Sequence, residues 1–433
     1  MMRRLAVLAG IAILGGGVAR AEGPGVKLGE SLVLHPGLSV GGGYDSNVFY
    51  SSGTGSDSAP VGGGYLDVRP TLDLSTLSGQ RGGETPHSLD FRLHLGGDLR
   101  FLMPTNPIFV GHNSYNADAG VAVAINPFGN YRLDLFANWM RLSQTPYSSS
   151  TAAASGNIDS DQAQAGLELR LRPGGQRLEI TLRDVLTTYL FEDAGAGSLF
   201  TAKNDVMNDT QLRISWKFFP KTALYVAANF SPYFYTNTLG TTPPNAYPLH
   251  AVFGLIGLIT PTLRVNANVG YGNSFTQSNP SYPNVSSYNN VVALFEGTWQ
   301  PTLVTNLSLG YMHDFMQAFV GTYYTLDSPY VTLAQGIWRL TLLLRFSYEH
   351  RAYAGDLSRD GLLNGFMDNP LRTDNLLMGH AEIDLPIKDW LFIALGDDLQ
   401  KNFSNCIFTG NGPLPVACTY FRNDVWLRLG VAY

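Results

Sequence analysis

From residue 32 onward the chain keeps a two-residue rhythm of apolar and polar positions. Leu89, Phe91, Leu93 and Leu95 interleave with Asp90, Arg92 and His94; Leu212, Ile214, Trp216 and Phe218 interleave with Arg213, Ser215 and Lys217; Leu340, Leu342, Leu344 and Phe346 interleave with Thr341, Arg345 and Ser347. Side chains of a strand point alternately to its two faces, so this period predicts strands with one apolar and one polar face. Strands are expected near 32–45, 64–76, 88–102, 114–126, 131–142, 160–172, 177–189, 205–218, 222–235, 248–259, 263–273, 289–299, 303–314, 323–334, 338–350, 374–385, 390–401 and 421–433. The count is about eighteen, with sixteen as the alternative. Most segments reach the roughly 9–11 residues that a tilted strand needs to cross a bilayer.

Connections alternate as well. Short turns are expected at 126–130, 173–175, 219–221, 260–262, 300–302, 335–336 and 386–389, and longer Ser/Thr/Asn/Gly/Tyr-rich segments lie between them. Short turns on one side and long loops on the other are the asymmetry of outer-membrane barrels. Lipid offers backbone amides no hydrogen-bond partner, so an open sheet edge is prohibitive and the first and last strands must pair. The fold class expected is therefore all-β, a single transmembrane antiparallel β-barrel over 22–433 with both termini in the periplasm. Leu429→Arg on a lipid-facing position should then impair insertion, and Gly430→Arg on the wet side should be tolerated better.

The last segment carries Val425, Leu427, Leu429, Val431 and Tyr433 on one face and ends in that aromatic residue. This resembles the C-terminal insertion signal that outer-membrane barrels present to their assembly machinery. Phe128, Tyr131, Trp216, Phe218, Trp299, Trp338 and Trp390 flank the short turns. Amphipathic rings prefer the headgroup level, so these are girdle candidates.

The N-terminus places the chain in an export pathway. Arg3 and Arg4 precede an apolar stretch from Leu5 to Val18, and Ala19-Arg20-Ala21 follows. This reads as a signal peptide over 1–21, cut between Ala21 and Glu22. Charged residues are 14% of the chain and the formal charge is −6, with no long basic run, so nucleic acid is not an expected partner. After the signal no apolar run approaches the roughly 20 residues of a membrane helix. Cys406 and Cys418 are the two cysteines of an exported chain and are expected to form a disulfide closing a short loop.

Catalysis finds no support in the motifs. The chain has no Gly-x-Ser-x-Gly elbow, His-Glu-x-x-His pair, P-loop or dinucleotide fingerprint, so no catalytic residue, metal or cofactor is expected. Function is expected on the inner wall. Its candidate lining residues are Arg92, Arg100, Arg132, Arg170, Arg213, Tyr225, Tyr233, Arg345, Glu382 and Arg428, among other acids and amides. The mixed signs argue against a strongly ion-selective ring. Aromatic faces and amides suit sugar rings.

One local motif stands apart. Gly41-Gly42-Gly43-Tyr44-Asp45-Ser46-Asn47-Val48-Phe49 ends the first strand, and Asp45 and Asn47 are expected to cap the loop that follows. The Tyr-Asp-x-Asn-Val segment resembles the β-barrel porin 2 family, whose members are associated with exopolysaccharide biosynthesis and export. In length and strand count the chain also resembles eighteen-stranded porins of myxobacterial-type export pathways. The resemblance implies a monomeric, passive outer-membrane conduit for exopolysaccharide, with a periplasmic polysaccharide export protein as a partner beside the surrounding lipids. It transfers no binding or catalytic residue. A general diffusion porin for small polar solutes and an outer-membrane lipid- or lipopolysaccharide-modifying enzyme are the alternatives.

Overall fold

A computed structural model of the chain describes residues 23–29, 31–53, 59–76, 88–145, 157–174, 176–192, 203–236, 244–278, 285–318, 321–354, 372–406 and 418–433. The expected signal peptide and its Ala21/Glu22 junction lie outside these residues. The strands are β1 (Val26–Leu28), β2 (Leu32–Asp45), β3 (Gly63–Thr76), β4 (Leu89–Leu102), β5 (Ser114–Ile125), β6 (Tyr131–Gln144), β7 (Ile158–Leu171), β8 (Leu178–Phe191), β9 (Asp205–Phe219) and β10 (Thr222–Phe230). They continue as β11 (Tyr233–Tyr235), β12 (Leu249–Thr260), β13 (Leu263–Asn273), β14 (Asn289–Thr302), β15 (Thr305–Gln317), β16 (Tyr323–Ile337), β17 (Leu340–Ala354), β18 (Thr373–Lys388), β19 (Leu391–Ser404) and β20 (Tyr420–Ala432).

With β10 and β11 taken as one crossing between β9 and β12, every crossing from β2 to β20 pairs antiparallel with its sequence neighbours, and β2 pairs with β20 from Gly37↔Ala432 to Asp45↔Asp424. The sheet thus closes on itself. β10 and β11 form one crossing, interrupted at Ser231-Pro232 where proline has no N–H for the ladder. β1 folds back on the start of β2, with Val26 opposite Leu34. The closed wall is therefore eighteen antiparallel crossings, and the count of eighteen holds over sixteen. Both described chain ends lie at the short-turn end.

The alternation fixes the two faces. Leu38, Val40, Leu66, Leu95, Leu135, Leu186, Leu212, Val269, Phe295, Leu309, Phe346, Leu427 and Leu429 are large, apolar and exposed, all on the outward face. In water such a belt would be untenable; in lipid it is the favourable arrangement. Tyr131, Trp216, Trp299 and Trp390 ring its short-turn edge, and Tyr44, Tyr115, Phe403 and Phe421 ring the opposite edge.

Three short turns sit differently from where the prolines and glycines suggested. β14 runs through Pro301 to Thr302, β16 runs through Gln335-Gly336 to Ile337, and β18 runs through Pro386 to Lys388. The actual turns are 303–304, 338–339 and 389–390. Pro301 and Pro386 are accommodated at register shifts, between Trp299 and Thr302 and between Pro386 and Lys388, where the regular ladder is already broken. The connection after β3 is also longer than the other short-end turns.

Candidate functional site

The inner face carries the polar half of every strand, and it divides into two regions. The first surrounds the β2–β20 seam. Here β2 presents Gly41 and Gly43 inward. A Cβ on Gly41 would lie 2.6 Å from Asp67 Oδ1, and one on Gly43 would lie 2.5 Å from the Tyr65 hydroxyl. The missing side chains leave a trough across which β3 reaches over β2 to β20. Tyr65 donates to Asp424 Oδ1 at 2.5 Å, and Arg428 lies 3.5 Å from Asp67. Arg100 donates to Asp424 at 3.1 Å and stacks 3.8 Å above the Tyr65 ring. Arg69 bridges Asp67 (2.9 Å) and Asp98 (3.2 Å). Beneath this network Tyr65, Phe392, Ala394 and Trp426 pack as an apolar cluster.

The Tyr-Asp-x-Asn segment terminates this network at the long-loop end. Asp45 Oδ1 accepts from the Asn47 amide at 2.9 Å, the self-capping turn the sequence implied. Asn47 does more than cap. Its Nδ2 donates to Ser51 O (2.8 Å) and across the seam to Phe421 O (2.9 Å), while its Oδ1 accepts from the Ser51 amide (2.9 Å). Arg422 of β20 holds Asp45 at 2.7 Å. The motif is thus a clasp joining the first loop to the last strand. The loop then packs Val48 and Phe49 against Phe109, and Thr145 donates to Val48 O at 2.7 Å. Nothing in the local sequence signalled the crossing, because its partners lie more than 370 residues away.

The second region is the rest of the wall, where charges pair locally. Arg132 holds Asp134 at 2.7 Å, Arg170 holds Glu168 at 2.5 Å, Arg172 holds Glu179 at 2.7 Å and Arg92 holds Asp73 at 3.0 Å. His380 bridges Asp398 (2.8 Å) and Glu382 (3.2 Å). From β12 to β16 the inner face becomes mostly uncharged. Asn268 donates to the Tyr225 hydroxyl at 3.0 Å, and the Thr298 and Ser308 hydroxyls are 3.1 Å apart.

The candidate lining residues all face inward, but they do not converge on one site and are not equally open. Arg92 and Arg345 are exposed. Arg428, Glu382 and Tyr233 are buried. The aromatic faces offered to sugars in the sequence reading are covered. Tyr225 is 6% exposed, with Gly254 under its ring and the Arg213 guanidinium 3.9 Å above it. Tyr233 is 4% exposed and donates to Asp205. The same flat packing recurs where Tyr330 lies on Gly310, Trp426 on Gly396 and Phe392 on Gly430. Inward aromatics therefore lie along the wall and leave the interior to the polar side chains. A periodic search for glycines one strand away from inward aromatics would have found this, had the register been known.

Outside the membrane band, Arg141 gathers Asp159 (3.1 Å), Asp161 (3.2 Å) and Glu192 (2.7 Å). Its hydrogen bonds hold the Glu192 carboxyl below its ordinary range. Cys406 and Cys418 are joined by a disulfide with Cα atoms 5.5 Å apart. Among the described residues no His, Cys, Asp or Glu cluster could hold a metal ion.

No family model and no curated protein matches the chain. Solved barrels do. The FrpB iron transporter of Neisseria meningitidis aligns over 94% of this chain and 82% of its own, at 7% identity and a TM-score of 0.49. The siderophore receptor PirA of Pseudomonas aeruginosa aligns over 92% and 80%, at 7% identity and 0.44. The alcaligin receptor FauA of Bordetella pertussis aligns over 94% and 76%, at 11% and 0.41. These likenesses carry no argument about what this chain binds. By its own closed wall, apolar belt and aromatic girdles, the chain is an integral, multi-pass β-barrel of the outer-membrane kind.

Proposed function

We propose that the barrel is a passive conduit for exopolysaccharide or another large polar solute. One observation supports this above others: many of the inner-wall charges are neutralised in place. Arg132–Asp134, Arg170–Glu168, Arg172–Glu179 and Arg92–Asp73 each cancel within a few ångströms. A wall so paired offers hydrogen bonds without a strong field, which favours passage of a hydroxyl-rich polymer over selection of an ion. The flat packing of Tyr225, Tyr330 and Trp426 works the same way, because it removes protrusions on which a chain would catch. No nucleotide-binding fingerprint occurs, so force comes from the other side of the pathway, with a periplasmic polysaccharide export protein as the feeding partner.

The test is a deletion strain complemented with the wild-type chain. Loss of surface polysaccharide with normal uptake of small sugars is expected. Unchanged surface polysaccharide together with impaired small-sugar uptake overturns the proposal in favour of a general diffusion porin.

A further inference from the structure

Two exposed inner-face arginines stand outside this pairing. Arg264 on β13 and Arg345 on β17 are exposed, and neither has a carboxylate within ion-pair distance among the described residues. They are not independent positions. The register sets Arg264 opposite Thr298, Thr298 opposite Ser308, Ser308 opposite Thr332, and Thr332 opposite Arg345. All five side chains point inward, since their strand neighbours Leu309 and Leu344 are among the exposed outward residues and Thr298 and Ser308 touch each other. The row is therefore continuous: guanidinium, three hydroxyls, guanidinium.

Four interstrand steps separate the two arginines, roughly 19 Å at about 4.8 Å each. Strands of a barrel tilt, so a row of cross-strand partners winds upward as it crosses the wall. Arg264 sits one residue into β13 from its short turn, and Arg345 sits five residues into β17 from the same end. The row thus climbs from the short-turn mouth into the barrel. The next position is His380, already held by Asp398 and Glu382, which closes the ladder with negative charge.

From this juxtaposition we infer that the row is a binding track for an acidic saccharide. The inference rests on the conduit reading and names its substrate class. Planar guanidinium groups at both ends fit carboxylate or other anionic substituents bidentately, and the hydroxyls between them fit sugar hydroxyls. A neutral chain would gain only the hydroxyl contacts. Arg213 and Arg183 also lack a carboxylate partner among the described residues, but they are half-buried and lie over the Tyr225 and Phe136 rings, whereas Arg264 and Arg345 present exposed guanidinium groups along one path.

The test uses the full-length barrel in planar bilayers, with oligogalacturonate and maltohexaose as blockers of the ion current. Oligogalacturonate is expected to block at lower concentration than maltohexaose. The Arg264→Gln/Arg345→Gln double variant is expected to raise its half-blocking concentration about tenfold or more and to leave maltohexaose unchanged. The Arg264→Lys/Arg345→Lys variant should restore part of the effect, since charge returns without the fork. Heat-modifiable gel mobility establishes that each variant is a folded barrel. Equal block by both sugars, or undiminished acidic block in the double variant, overturns the track while leaving the conduit intact. A folded wild-type barrel that neither conducts nor is blocked by any sugar overturns the conduit reading itself.

Discussion

The seam wall and the β12–β16 wall use the same alternation for opposite ends. At the seam, β3 sends Tyr65 and Asp67 across Gly41 and Gly43 to Asp424 and Arg428, and these groups are all buried. On the β12–β16 wall, Asn266, Asn268, Thr298, Ser308 and Thr332 are only half-buried, and the bonds of Asn268, Thr298 and Ser308 go to near neighbours. The difference teaches where stability and function are separable. A buried charge that loses its counter-charge is costly, so the seam tolerates removal of a partner poorly. Half-exposed amides and hydroxyls can exchange partners with a solute at little cost. The seam holds the barrel shut; the opposite wall is free to be touched.

Substitutions can break that contrast. Asp424→Ala leaves Arg100 and Arg422 without a shared counter-charge in a buried network, and it should cost about 3–5 kcal/mol in denaturant unfolding from lipid vesicles. Thr298→Ala on the other wall should change the same measurement by no more than about 0.5 kcal/mol. Equal effects would erase the distinction. On β20 itself, Leu429→Arg places a charge in the lipid belt and should cost roughly 2–4 kcal/mol. Gly430→Arg, expected from sequence to be tolerated better than Leu429→Arg, still meets a close neighbour. A Cβ there would lie 2.2 Å from the Phe392 ring, itself packed in the seam cluster. It should cost roughly 1–3 kcal/mol, read in the same unfolding experiment.

The smallest effect sits outside the belt. Arg141 lowers the Glu192 carboxyl below its ordinary value of about 4.3, so this contact stabilises at neutral pH and is lost as pH falls through the lowered value. Amide protection around Glu192, taken relative to the intrinsic exchange rate at each pH, should fall at acid pH in the wild type. In Glu192→Gln that protection should already be lower at neutral pH and change little on acidification.

Much of this architecture was readable beforehand. The boundaries of β2 and β13 coincide with the apolar–polar rhythm, and the eighteen crossings follow from counting it. The turn after β14 was misplaced because Pro301 breaks pairing as readily at a register shift as in a turn. Candidate lining residues were found on the correct face, yet their openness was not legible. Tyr225 and Arg345 read alike in sequence, but one is sandwiched and the other free, since only the neighbouring strand supplies Gly254 and Arg213.

The sequence by itself determined the period, the number of crossings, the lipid-facing set and the need to close, because these follow from side-chain alternation and from the cost of unpaired amides in lipid. Tertiary structure alone decided which side chains meet across the wall. Asn47 reaching Phe421, and Arg264 sharing a row with Arg345 through Thr298, Ser308 and Thr332, depend on register. Register is set by all the turns and shifts together, and a slip of one residue would turn every inward group toward lipid.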